Sequence, residues 1–255
     1  MIPTCRRTLL LLIGLLLAGC ETTGQRPPSK PGPVNELANI HLRMGIEHLK
    51  QRNYDNAMEE LNKALSMDPR DPSIHATLAT LYERLDKLPL AEKHMEDAHR
   101  FGRNDSAIQN IYGSFLCQHG HYKEGLAIFD GVVKDPNYAS PQIAYTNAGI
   151  CAYDMGSKDK AEGYLQHALR VDPNVPQAVI QLAQIAYDKG RYGEAQGYLA
   201  HYHKIEGETP RGLYLGAKIA THLKNNEEAE RLRATLRKNY PSSPEAIQSL
   251  RAEAK

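Results

Sequence analysis

Small residues recur through this chain at a spacing of 34, and that spacing limits the fold more than any other feature. Gly45 and Ala57, Ala79 and Ala91, Gly113 and Gly125, Gly149 and Ala161, and Ala183 and Ala195 form successive pairs, whose first members keep that period except for one slightly longer step between Gly113 and Gly149. Large side chains accompany the pairs: Met44, Leu78, Tyr112 and Leu182 directly before the first small residue in four of them, and Leu61, Met95, Phe129, Leu165 and Leu199 four residues after the second in all five. A spacing of four keeps the small and the large residue on one face of a helix. Small residues between them let two antiparallel backbones cross closely. The pattern therefore predicts paired helices, repeated and stacked, in an all-α chain.

Cap and turn residues fall where this reading needs them. Asp71-Pro72, Ser140-Pro141, Thr209-Pro210 and Ser243-Pro244 each set an N-cap oxygen before a proline at the first helical position. Arg52-Asn53, Gly120-His121, Gly156-Ser157, Gly190-Arg191 and Asn225-Asn226 mark turns between paired helices. Pro69, Pro136, Pro173 and Pro241 close several units. The whole resembles the tetratricopeptide repeat. The resemblance implies a right-handed superhelical solenoid of about six repeats over residues 38–241, divided as 38–71, 72–105, 106–141, 142–175, 176–208 and 209–241. The sixth unit is degenerate: Leu215-Gly216, Ala229 and Pro241 fit only with a one-residue slip. Residues 242–255 are expected to form a capping helix over the last apolar face.

Ahead of the repeats, Arg6 and Arg7 precede the apolar run Leu9 to Leu17, which is too short to span a bilayer comfortably and reads as an export signal. The run ends in Leu17-Ala18-Gly19-Cys20, which resembles the lipobox of bacterial lipoproteins. That resemblance implies cleavage of residues 1–19, lipidation of Cys20 and, with Glu21 and not Asp following it, retention at the outer membrane facing the periplasm. Residues 20–37 then read as the lipidated Cys and a proline-rich tether. At roughly 3 Å per residue, Glu21 to Val34 would reach about 40 Å from the membrane.

Charge and motif content narrow the function. The chain has 31 basic and 30 acidic residues, without the basic excess that nucleic-acid binding requires. It contains no nucleophile motif, phosphate loop or His-Glu-x-x-His, so no enzyme activity, small-molecule substrate or cofactor is expected. His119 with His121 and His201 with His203 lack further ligands at metal-binding spacing and read as solvated turn histidines. Cys117 and Cys151 lie in first helices of adjacent units. In an oxidising compartment a disulfide between them is open, although two buried thiols are the default reading.

A solenoid of this kind offers a concave face lined mainly by first helices. The inward positions of such repeats map onto Asn110, Ile111 and Ser114 in unit three, Asn147, Ile150 and Tyr153 in unit four, and Ile180, Gln181 and Gln184 in unit five. Asn110, Asn147 and Gln181 carry both donor and acceptor for the backbone of an extended peptide, or equally for tying neighbouring helices together. The isoleucines and Tyr153 would receive apolar side chains. Clustered Lys and Arg, which would clamp a terminal carboxylate, are not expected on this face.

Three stretches carry a closer resemblance. They are Leu49-Lys50-Gln51-Arg52-Asn53-Tyr54, Asn110-Ile111-Tyr112-Gly113-Ser114-Phe115-Leu116-Cys117 and Asn147-Ala148-Gly149. They are similar to the type IV pilus biogenesis lipoproteins of the PilF and PilW family. The resemblance implies a pilotin that binds subunits of the outer-membrane secretin and promotes their localisation and multimerisation. A different periplasmic adaptor, for barrel assembly or cell-wall enzymes, is the alternative.

Overall fold

The computed structural model describes residues 33–253. Among them, six helix pairs and one further helix follow one another, without strands. The pairs are α1 (Pro33–Lys50) with α2 (Tyr54–Met67), α3 (Pro72–Arg84) with α4 (Leu88–Phe101), α5 (Ser106–Gln118) with α6 (Tyr122–Val132), α7 (Pro141–Asp154) with α8 (Lys158–Val171), α9 (Pro176–Asp188) with α10 (Tyr192–Glu206), and α11 (Pro210–His222) with α12 (Asn226–Asn239). The last helix is α13 (Pro244–Glu253). The predicted solenoid of six units is what forms. The signal segment, Cys20 and the tether to residue 32 lie outside the described residues. Within the segment read as tether, Pro33 already opens α1, consistent with proline's fit to a first helical position.

The spaced small residues do what their pattern requires. A Cβ on Gly149 would lie 2.5 Å from Leu165 Cγ, and one on Gly45 would lie 2.7 Å from Leu61 Cγ, so only a missing side chain lets these helices meet. Ala57, Ala79, Ala91, Ala161, Ala183 and Ala195 are fully buried. Between paired helices the backbone turns through a left-handed residue at one repeat position, occupied by Arg52, Asp86, Gly120, Gly156, Gly190 and Lys224. Glycine adopts that conformation without strain, and the three other residues hold it at a cost of about 1 kcal/mol each. Asp71 caps α3 by accepting from the backbone N–H of Ser73 at 2.7 Å, and Thr209 caps α11 by accepting from Gly212 N at 3.1 Å. Ser140, expected to cap α7, makes no side-chain cap hydrogen bond.

Unit six departs from the expected slip. Pro210 and Asn226 open its helices one repeat period after Pro176 and Tyr192, so the backbone stays in register. The side chains shift instead. A Cβ at Gly216 would lie 3.1 Å from Leu232 Cδ1 and 3.0 Å from Leu199 Cδ2, so Gly216 makes room for both leucines. α13 begins one further period after α11 and buries Ala246 and Ser249 against the last pair, as a cap should.

Curvature follows from which helices touch. Each first helix packs against the next first helix, from α1 with α3 to α9 with α11, whereas second helices meet no other second helix among the described residues. First helices therefore crowd the inner side of the bend, and second helices splay on the outer side.

Candidate functional site

The inner side carries a groove made of three clefts that share walls. One of about 330 Å³ lies between the α1–α2 turn and α3, lined by Lys50, Arg52, Tyr54, Thr80 and Arg84. Thr80 and Arg84 also wall the next, of about 370 Å³, which reaches Ile111, Ser114 and Gln118 on α5. Ser114 and Gln118 in turn border a third of about 140 Å³, closed by Asn147, Ile150 and Asp154 on α7. Beside the second cleft Ile111 and Ile143 are 40% and 45% exposed, an apolar step open to a partner. Together with Tyr138 and Ala139 they line a wider recess of about 660 Å³.

The floor beneath this groove is held firmly. Asn147 Nδ2 donates to Asn110 Oδ1 at 3.2 Å, joining α7 to α5. Cys117 and Cys151 are joined as a disulfide across the same two helices, with Cα atoms 5.5 Å apart. This overturns the default of two separate thiols: Cys117 and Cys151 sit two repeat positions apart, and the close approach of α5 and α7 still brings them within bridging distance. Gly125 opposes Cys117, and a Cβ there would collide with its sulfur.

The tetratricopeptide repeat family matches residues 48–115 and again residues 146–205. Type IV pilus assembly protein PilF of Pseudomonas aeruginosa is 27% identical over 183 residues, covering 71% of this chain and 73% of that protein. The solved structure of Pseudomonas aeruginosa PilF superposes with a TM-score of 0.74 at 25% identity, over 87% of this chain and all of that one. The crystal structure of PilW, described as a widely conserved type IV pilus biogenesis factor, superposes with a TM-score of 0.77 at 31% identity, over 84% of this chain and 99% of PilW. The chain belongs to the PilF/PilW family of tetratricopeptide-repeat proteins.

Within this PilF/PilW-type solenoid, the residues expected to line the concave face divide by repeat position. Asn110 and Ile180 occupy the position of Leu42, Ala76 and Thr146, and all five are buried, with exposures of 1% to 8%. That position lies where neighbouring first helices touch, so Ile180 is core and receives no partner side chain. One residue on, Ile111 and Asn147 reach the groove, but Gln181 is 5% exposed and its Oε1 accepts from Arg211 at 2.7 Å. Ser114 and Ile150 line the groove, the Ser114 hydroxyl donating to Asn110 O at 2.9 Å. In units four and five, Tyr153 Oη and Gln184 Nε2 each donate to Asp188 at 2.7 Å. Burial first, and this bond second, push the Tyr153 hydroxyl well above the usual tyrosine range, so it stays a proton donor.

Two features were not foreseen. Ile143 is exposed at the groove edge, although the Ile143–Ile150 spacing of seven on α7 is a legible signal. Lys50, Arg52 and Arg84 converge on one cleft, contrary to the expectation of a face without clustered cations. Arg52 belongs to a turn, and a reading confined to first-helix positions passes over it. Among the described residues no group of three or more His, Cys, Asp or Glu could hold a metal ion, and no helix is long and apolar enough to cross a membrane.

Proposed function

We propose that this chain is a lipid-anchored pilotin of type IV pilus assembly, which holds an extended segment of an outer-membrane secretin subunit in the groove of units one to four. The observation that carries the reading is the continuous groove in a chain of the PilF/PilW family. Its walls and adjoining recess combine apolar side chains (the exposed Ile111 and Ile143 and the half-buried Ile150) with polar ones able to bond a peptide backbone (Ser114, Asn147, Gln118). Tetratricopeptide repeats act as protein-interaction modules, and the proposed activity requires no chemistry of its own. A lipid on Cys20 would keep the solenoid at the outer membrane and raise the local concentration of secretin subunits there. Occupying a strand edge of the subunit would hold off premature pairing.

The test is secretin multimer in the outer membrane of cells lacking the gene, complemented with wild type, Cys20→Ala or Ile111→Asp/Ile143→Asp. The expected result is multimer restored by wild type, mislocalised or monomeric secretin with Cys20→Ala, and reduced multimer with the groove variant. Unchanged multimer in the deletion overturns the pilotin reading and leaves another envelope adaptor to be sought.

A further inference from the structure

Every first helix ends on the same repeat position, and the residues there are Lys50, Arg84, Gln118, Asp154, Asp188 and His222. The first four line the three connected clefts in order. Charge along the groove thus runs from cationic at units one and two, where Arg52 adds a further guanidinium, through a neutral amide, to anionic at units four and five. A helix C-terminus carries partial negative charge and favours a cation there. Lys50 and Arg84 obey that preference; Asp154 and Asp188 oppose it. Asp188 is compensated by Tyr153, Gln184 and Lys158, the last at 3.6 Å. Asp154 has no hydrogen-bond or ion-pair partner among the described residues, and neither do the guanidiniums of Arg52 and Arg84. Opposite charges at the cationic end are already engaged, Glu83 by His119 at 2.9 Å and Glu47 by Lys50 at 3.6 Å. A residue that breaks a local rule without local compensation is where function is expected.

We propose that the groove is electrically polar and takes an extended peptide segment in one orientation, its acidic end at Arg52 and Arg84 and its basic end at Asp154. This rests on the groove-binding reading above and adds the chemistry of the segment. Packed helices lie about 8–10 Å apart, so two steps from Arg84 to Asp154 span about 20 Å, or about six residues of extended chain. The segment therefore carries its acidic and basic residues about six positions apart, with alternate apolar side chains between them for Ile111 and Ile150. Polarity of this kind sets register and orientation more than affinity.

The test uses the full chain in detergent and fluorescent decapeptides with blocked termini, read by anisotropy. One peptide has two Asp at one end, two Lys at the other and alternating Ile and Thr between; a second has the same centre with Ser at both ends. The charged peptide is expected to bind about tenfold more tightly, and Arg84→Glu or Asp154→Lys to weaken it about threefold to fivefold each, as screened single charge pairs do. Each variant should weaken the charged peptide more than the Ser-ended one, so the ratio of the two affinities is the readout, and an unchanged ratio overturns the polar groove. A photo-crosslinker beside the Asp end should label α3, and Arg84→Glu combined with Asp154→Lys should restore affinity with the label moved to α7. Equal binding of both peptides by the wild type overturns the polar groove while the groove reading stands. Binding of neither peptide, or binding indifferent to Ile111→Asp/Ile143→Asp, overturns both.

Discussion

The junction between units three and four and the open face of unit one are built from the same repeat positions, yet they differ in everything that meets those positions. Ile40 and Met44 on α1 correspond to Ala144 and Ala148 on α7. The first two are 42% and 43% exposed and the second two are fully buried. Met44 was expected to pack, but among the described residues no unit precedes it and it is left open. At the central junction the alanines let the helices close up, the disulfide joins Cys117 to Cys151, and Asn147 bonds Asn110. Solenoid stability is roughly a sum of unit terms and nearest-neighbour contacts. The difference therefore teaches that the groove is stiffest at its centre, where Ile111 and Ile150 sit, and loosest towards unit one.

Removing the central packing should have the largest effect. Phe129 is fully buried, its ring edge filling the space beside Gly113. Phe129→Ala is expected to cost about 4 kcal/mol, read as a lowered urea midpoint, and to expose amides of α5 to α8 to hydrogen exchange before those of α1 and α2. If α1 and α2 exchange at the same rate as the centre, the solenoid unfolds as one body and the contrast dissolves. Replacing both bridging cysteines by Ser should come next. The bridge spans a sequence separation of 34, for which loss of the cross-link is worth about 3 kcal/mol. Thermal melts with and without reductant check this; a wild-type melt unmoved by reduction would mean that the amide pair and the alanines suffice.

How much of this was legible in the sequence depends on what enforces each feature. Gly45, Ala79, Gly149 and Ala183 recur because two backbones cross there and no large residue fits, so the helix pairs could be read directly. Unit six was harder because Gly216 moved the space for Leu232 by one residue. The groove was only half legible. Asn110 and Asn147 are both amides on first helices, and which one faces a partner depends on a rotation of one residue that composition does not encode. The family pattern of inward positions sent Ile180 to the groove, whereas contact between α9 and its neighbouring first helices buries it. The cysteine pair carried its spacing openly, but closure depended on how closely α5 approaches α7.

The edge of unit one can be probed against its interior by one substitution made twice. Ile40 and Ile74 hold the same repeat position in successive units, 42% and 1% exposed. Ile74→Ala should cost about 2 to 3 kcal/mol, because it opens a cavity between units one and two. Ile40→Ala should change stability by less than about 0.5 kcal/mol. Denaturant midpoints of the two variants measure the ratio. Equal losses would mean that the stripe of Leu37, Ile40 and Met44 is covered in the intact protein.

The smallest expected effect concerns charge on the outer side of the junction between units four and five. Burial would raise the Glu162 carboxyl, but hydrogen bonds from Lys189 at 2.6 Å and Arg191 at 2.9 Å hold it below the usual glutamate range. A carboxylate lowered on folding adds stability that is fully present above its unfolded pKa, near 4.5, and is lost as pH falls through the lower folded value. Partial exposure of both cations keeps the contribution below about 1 kcal/mol. Wild type should therefore lose a little more stability than Glu162→Gln between pH 5 and about pH 3, with parallel melts above that window. If the two curves stay parallel throughout, Lys189 and Arg191 hold the carboxylate no better than water does, and the cohesion of this junction rests on its buried alanines and Leu165 alone.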